Sequence, residues 1–374
     1  MTEERADDGS AASPDPDHLS RLDELLAERD LEAVWLAEPN SFAWLTGGDN
    51  VVDVSAEIGV AAAGYDGTAV KVVTANNEAD RFREEELPEE ISVHTFDWFD
   101  RSLSDAVAAQ SPTPAAADFD VPGFDGIDAG SLRRPLASGD VERSRTVGAL
   151  AATAFESACR QLTPETTERE ASALLHRALV EAGFTVPCVL VGGAHRAQNH
   201  RHFTPQPVPL GEYAILTAGV ERSGLFDSIT RMVAFDPPDW LERRHEVVSR
   251  VHATALAATQ EAAETGGTAG DVFAAIVTAY EELGYEGEWR NHHQGGAAGF
   301  AMREWIATPD ATVPIELPMS FAWNPTVRGA KSEDTILVTE DAIEPMTVSG
   351  DWPRRSYDPV GYDVAVELHD VLDL

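Results

Sequence analysis

The stretch from Val186 to Met232 constrains this chain more than any other. A loop punctuated by His195, His200 and His202 and by Pro205, Pro207 and Pro209 runs into an apolar segment from Tyr213 to Leu216. The chain then turns between Gly219 and Gly224 and returns through Phe226 to Val233. Apolar runs on either side of a glycine-bounded turn predict a two-stranded β-ribbon. The loop before it gathers imidazoles at the ribbon's mouth, where groups that titrate near neutral pH can act as acids, bases or ligands.

The elements around the ribbon follow from spacing. Between Ser144 and Leu162, apolar Val147, Leu150, Ala151, Ala154, Phe155, Ala158 and Leu162 recur at three and four and predict a helix. A cap at Thr163 or Thr166 opens a second helix that Gly183 stops. After the ribbon, Trp240–Glu264 and Thr268–Leu283 form two more helices, and Trp289–Trp305 enters a second half with the same order of elements. Upstream, residues 1–17 are acidic and Pro-containing and are expected to be a disordered tail. His18–Arg29 reads as a helix, Ala33–Leu36 as a buried strand, Asn40–Gly48 as a turn, and Ala115–Gly130 as a surface connection. Short apolar runs at Gly59–Ala63, Ala69–Val73 and Ile91–Thr95 complete a small α/β domain. The organisation is therefore α+β, with a tail (1–17), an N-terminal α/β domain (18–135) and a larger domain (136–374).

Charge sets the surroundings. The chain carries 65 acidic and 27 basic side chains, a net charge of -38, and its only lysines are Lys71 and Lys331. Such a surface repels nucleic acid and anionic membranes, which removes both from the expected partners. It fits a cytoplasm of molar salt, as in a halophilic archaeon, where a Debye length of about 3 Å mutes self-repulsion. A disordered solvating chain is excluded because 43% of the residues are hydrophobic. Two cysteines are too few for a disulfide framework, and no signal segment or apolar run of about 18 residues is present, so a reduced, cytoplasmic protein is expected.

Several segments carry a resemblance. The ribbon keeps Gly211, Gly219, Gly224, Ile229, Thr230 and Arg231; NSFAWLTGG (Asn40–Gly48), NHHQGGAAGFAMRE (Asn291–Glu304), SFAWNP (Ser320–Pro325) and KSEDTILVTED (Lys331–Asp341) follow at matching places. Together they resemble the pita-bread family of methionine aminopeptidase, prolidase, aminopeptidase P and creatinase. The resemblance implies a C-terminal pita-bread domain behind a smaller creatinase-type α/β domain, and a homodimer. In the peptidases of that family two Asp, one His and two Glu bind two divalent metals. Here the corresponding positions are Thr217, Ser228, Gly296, Asn324 and Glu333, so one ligand of the five survives.

Charge arithmetic bears on that set. Two dications carry +4, and Thr217, Ser228 and Asn324 remove three of the four carboxylates that would neutralise them. A dinuclear Mn, Co or Zn site is therefore expected to be absent, together with its metal-activated hydroxide. A single-metal site from Asp227, Glu333, His200 and His292 would need a bulge, because Asp227 is one residue out of phase with the ligand position.

Two functional readings follow. In the first, the chain is a metal-independent hydrolase of a C–N bond in a small peptide-like, guanidino or amide substrate. His200, in the position of the creatinase base, is then the acid/base, and Glu333 or Glu304 its orienting carboxylate. The two creatinase Glu correspond to Thr230 and Asn324. His292, His202, Arg303 and Arg231 are candidates for binding substrate, with Arg303 suited to a carboxylate. His293 is expected on the opposite face, and Glu333 to pair with Arg231 or Arg303. In the second reading, the cleft binds a small ligand or protein without turnover.

Overall fold

The computed structural model describes residues 13–374, and the chain divides into two compact units, Met1–Gly139 and Asp140–Leu374. Most of the expected tail, 1–17, lies outside the described residues. Pro16 and Asp17 already belong to helix α1 (Pro16–Arg29), whose N-cap Asp15 accepts the Asp17 N–H at 2.9 Å.

In the first unit a six-stranded sheet runs in the order β4 (Ser92–Phe96), β3 (Val70–Ala75), β2 (Ala61–Tyr65), β1 (Ala33–Leu36), β5 (Ala115–Ala117), β6 (Asp125–Gly126). Helices α2 (Pro39–Thr46), α3 (Ala79–Arg81) and α4 (Leu103–Gln110) connect its strands. Two expectations change. The NSFAWLTGG segment is the short helix α2, ended by Gly47 in the left-handed region (φ 73°), and not a turn alone. Ala115–Gly130 is not a surface connection throughout, since β5 is buried beside β1. Three alanines give little strand signal, yet their small side chains let Ala115 and Ala117 pack into one core with Trp35.

The second unit opens with α5 (Ser138–Cys159) and α6 (Glu168–Glu181). Thr167, not Thr163 or Thr166, caps α6 through a reciprocal pair with Glu170. Strand β7 (Thr185–Gly193), helix α7 (Ala194–Ala197) and the ribbon β8 (Tyr213–Arg222) and β9 (Leu225–Ala234) follow, then α8 (Leu241–Thr265) and α9 (Ala269–Glu282). A second sheet, in the order β10–β11–β14–β15, is built from β10 (Gly295–Ala298), β11 (Met319–Trp323), β14 (Ile336–Val338) and β15 (Ile343–Pro345). Short hairpins β12 (Thr326–Val327) with β13 (Ala330–Lys331), and β16 (Arg354–Tyr357) with β17 (Val366–His369), flank it, and β18 (Leu372–Asp373) pairs parallel to β9. Two helices leading into a sheet thus occur twice, as the sequence order predicts.

The ribbon is longer than its apolar pattern predicts. Its turn is only Ser223–Gly224, both at positive φ (53° and 79°), as the tight hairpin turns that match strand twist require. Gly219 lies inside β8, opposite Ser228. A Cβ there would sit 2.4 Å from Met302 Cε, so the glycine admits a close neighbour instead of bending the chain.

Candidate functional site

Strand alternation sorts the ribbon's side chains onto two faces. Thr217 pairs across from Thr230, and Ser228 lies two residues before Thr230, so all three share one face; each is buried. Thr230 N donates to Glu333 O at 2.9 Å, which sets the KSEDT segment beside β9. Parity then points Glu333 at the threonine face and its neighbour Asp334 at the other.

Glu333 is the centre of the first cluster. Its Oε1 is 2.7 Å from Arg303 Nη2 and its Oε2 is 2.7 Å from Lys331 Nζ. Thr230 Oγ1 donates to the same Oε2 at 2.9 Å, so its contact with Thr217 Oγ1 at 2.8 Å has Thr217 as donor. Arg303 Nη1 donates to Ser228 Oγ at 2.9 Å and to the Met302 carbonyl. Burial alone would raise the Glu333 carboxyl. Lys331 and Arg303, with the hydrogen bonds from Lys331 and Thr230, hold it instead at about 2. Two cations and one anion leave this cluster at a net charge of +1.

Three imidazoles form the second cluster. Arg201 pairs with Glu288 at 2.7 Å and ties the loop after α7 to the turn Glu288–Asn291. That tie brings His202 Nε2 to 3.1 Å from His292 Nε2. His293 stacks on His292, with ring centroids 4.5 Å apart and planes 22° apart. Burial lowers all three, and the charge of Lys331 adds to the effect; for His293 Arg303 contributes more than Lys331. His292 falls to about 2 and His293 to about 4, so both are neutral at pH 7.

The structure brings some of the expected residues together and separates others. Glu333, Arg303, Thr217 and Ser228 meet in the first cluster, and His202 and His292 in the second. His200 is exposed and is not one of the three meeting imidazoles; the loop presents His202 in its stead. His293 joins His292 and is not a bystander on an opposite face. Gly296 is on β10, paired with Ala322, and the space for a side chain is filled: a Cβ would lie 2.0 Å from Trp305 O and 2.9 Å from its ring. Asn324 follows β11 and is buried, with Oδ1 unpartnered among the described residues. Glu304 Oε1 accepts Ala301 N–H at 3.0 Å, within its own loop.

Arg231 and Asp227 occupy the ribbon's other face. Arg231 is 1% exposed and bonded to Glu156 at 2.7 Å, Asp334 at 2.8 Å and the Thr347 carbonyl at 2.7 Å. Through Asp334 it anchors the segment that carries Glu333, and it does not itself reach Glu333. Asp227 keeps its strand register opposite Val220, with no bulge to turn it toward Glu333. Burial, aided by Asp334 and opposed by a hydrogen bond from Thr335, raises its carboxyl to about 7.

Two participants escaped the sequence reading, Lys331 and His293. Lys331 carried a signal. It is one of two lysines in the chain, and it stands two residues before Glu333, the spacing that puts both on one strand face.

Residues 142–340 match metallopeptidase family M24. The Xaa-Pro dipeptidase of Pyrococcus furiosus is 25% identical over 204 residues, 52% of this chain and 57% of that relative. The chain thus matches little more than half the length of that curated relative. Among solved structures, the prolidase from Pyrococcus horikoshii OT3 has a TM-score of 0.71 at 17% identity, over 89% of this chain and 98% of that one. The Xaa-Pro dipeptidase from Bacillus anthracis has a TM-score of 0.73 at 16% identity, over 96% and 99%. At such identities the likeness shows the pita-bread fold. With the family match extending over more than half of its residues, the chain belongs to metallopeptidase family M24.

Proposed function

We propose that this chain is an Xaa-Pro peptidase homologue in which Arg303 and Lys331 have taken over the neutralisation of Glu333 from the family's two metal ions, and that its cleft binds a small dipeptide-like ligand. One observation carries the reading: each Glu333 oxygen already has a cationic nitrogen at 2.7 Å. A dication at Glu333 would have to displace one of them, and the other groups in that cluster are the hydroxyls of Thr217, Ser228 and Thr230, a donor set that does not fit a pair of hard dications. The resident metals of the family are therefore assigned no step here.

The same geometry defines what the cleft offers a ligand. The Arg303–Glu333–Lys331 cluster, at +1, attracts a ligand carboxylate. Arg303 Nε is buried without a partner among the described residues, so a ligand would meet the guanidinium by its charge and not through this nitrogen. The neutral imidazoles of His202, His292 and His293 offer a donor or acceptor to an amine or amide. Glu333, held near 2, stays ionised and is engaged on both oxygens, so it orients its cations and takes no proton at neutral pH.

A second reading is metal-independent hydrolysis with His202 as the base, its ring oriented by the 3.1 Å contact with His292 Nε2; His292 and His293, held at about 2 and about 4, are too weakly basic for that role at neutral pH. Thermal-shift screening of Xaa-Pro dipeptides, other dipeptides and guanidino acids, followed by mass spectrometry of the mixtures, separates the readings. Ligand at 100 times its Kd should add about 2.7 kcal/mol of stability with no product formed. Product formation that persists in the presence of a chelator and that His202→Ala abolishes would establish the second reading, and turnover that requires added Mn²⁺ would overturn both. The homodimer and the cytoplasmic setting implied by the resemblance and by composition are part of the same proposal, tested by light scattering in high salt and by localisation in the source cell.

A further inference from the structure

We infer that His202, His292 and His293 form a binding site for one late transition-metal ion of the zinc class, built from residues other than those at the five M24 ligand positions. Each offers one ring nitrogen, and these three atoms lie within 4.8 Å of one another. Zinc–imidazole bonds of about 2.0–2.1 Å at tetrahedral angles put neighbouring nitrogens about 3.3–3.4 Å apart. The His202–His292 separation, 3.1 Å between the two Nε2 atoms, is already close to such an edge.

The other features of the trio agree. His292 is the least exposed of the three and is the member the other two close upon. His202 and His293 are exposed: His202 needs only a small shift, and His293 must turn out of its stack on His292 for its lone pair to meet the ion. The Arg201–Glu288 pair fixes the two loops on which the site rests, and Gln294 Nε2 holds the His292 carbonyl at 2.7 Å. Three neutral imidazoles select Zn²⁺, Co²⁺, Ni²⁺ or Cu²⁺ over Mg²⁺, Ca²⁺ or Mn²⁺. Lys331 and Arg303 oppose a dication at this place and Glu333 favours it. Their net positive charge suits an ion that carries an anion, hydroxide or a ligand carboxylate, at its fourth position.

Tag-free protein titrated with Zn²⁺ by calorimetry, and with Co²⁺ by visible absorption, tests the inference. One ion per chain is expected, with the intense visible bands of four-coordinate Co²⁺. His202→Ala and His292→Ala should each weaken Zn²⁺ binding more than about 100-fold, beyond the loss typical of outer contacts, whereas His195→Ala should leave it unchanged. His202 is exposed, so its variant keeps the test decisive if His292→Ala does not fold. Zn²⁺ binding that survives His202→Ala, or no one-to-one binding by the wild-type chain, would overturn the inference. Two Mn²⁺ ions held through Glu333 would instead overturn the reading of the preceding subsection and leave this one standing.

Discussion

Replacing Glu333 by Gln removes the single anion between two cations and should be among the most destabilising conservative changes in the chain. Glu333 is 3% exposed and Lys331 4%, so the charges left behind are largely shielded from water. Breaking a buried pair by deleting one partner costs about 3–5 kcal/mol. The carboxyl itself gives a second estimate: its fall from an ordinary 4.5 to about 2, at about 1.4 kcal/mol for each tenfold change in proton affinity, is worth roughly 3 kcal/mol. The sign follows from a folded value below the unfolded one. The contribution is complete above about pH 4.5 and is lost as pH falls toward 2. Urea unfolding of wild-type and E333Q protein should therefore differ by about 3 kcal/mol at pH 7. A melting difference of about 6–12 °C is expected for a unit of this size, and the gap should close between pH 4.5 and 2. Equal stability at pH 7, or a gap indifferent to acid, would refute the claim that the two side-chain cations hold this carboxylate.

Other outcomes follow from neighbouring residues. Asp227 has the opposite sign: its folded value, raised to about 7 by burial, means stability is lost as pH rises from about 4 to 7, so D227N should gain about 2–4 kcal/mol at pH 7–8 and nothing at pH 3, read by urea unfolding across pH. Gly296→His puts an imidazole at the position where the resemblance implies the family's ligand. With its Cβ 2.0 Å from Trp305 O it should cost about 1–3 kcal/mol or more and confer no new metal affinity, checked by melting and calorimetry. Lys331→Met should destabilise the chain, whereas Lys71→Met, which removes a lysine 3.5 Å from Asp66 in the first unit, should change the unfolding free energy by less than about 1 kcal/mol, both read by urea unfolding.

How much was legible in the sequence divides along physical lines. The helices α8 and α9 emerged within a residue of their expected bounds, whereas the helix read from apolar residues at three and four over Ser144–Leu162 begins six residues earlier, at Ser138, because spacing reports the buried face and not where the helix starts. Elements announced by punctuation were harder: Gly219 was read as a turn because glycine signals both a bend and a close approach, and only Met302, distant in sequence, decides between them. At the site, motif register located Thr217 and Ser228 because they sit on paired strands with fixed parity, and Glu333 because its carbonyl accepts the Thr230 N–H beside them. It could not tell which loop imidazole meets His292, since His200 and His202 share a loop with no periodicity, and an Arg201–Glu288 contact sets His202 against it. Lys331 was visible as a rarity, yet its role appears only once Glu333 is known to lie on the same face.

The central claim, that protein cations stand where the family places metals, is tested most directly by titrating the tag-free chain with Mn²⁺, a hard ion that the imidazoles do not select. The account expects no stoichiometric Mn²⁺ uptake, and no Mn²⁺-dependent change in melting that E333Q abolishes. Two Mn²⁺ ions per chain, bound in the wild type and lost in E333Q, would contradict it.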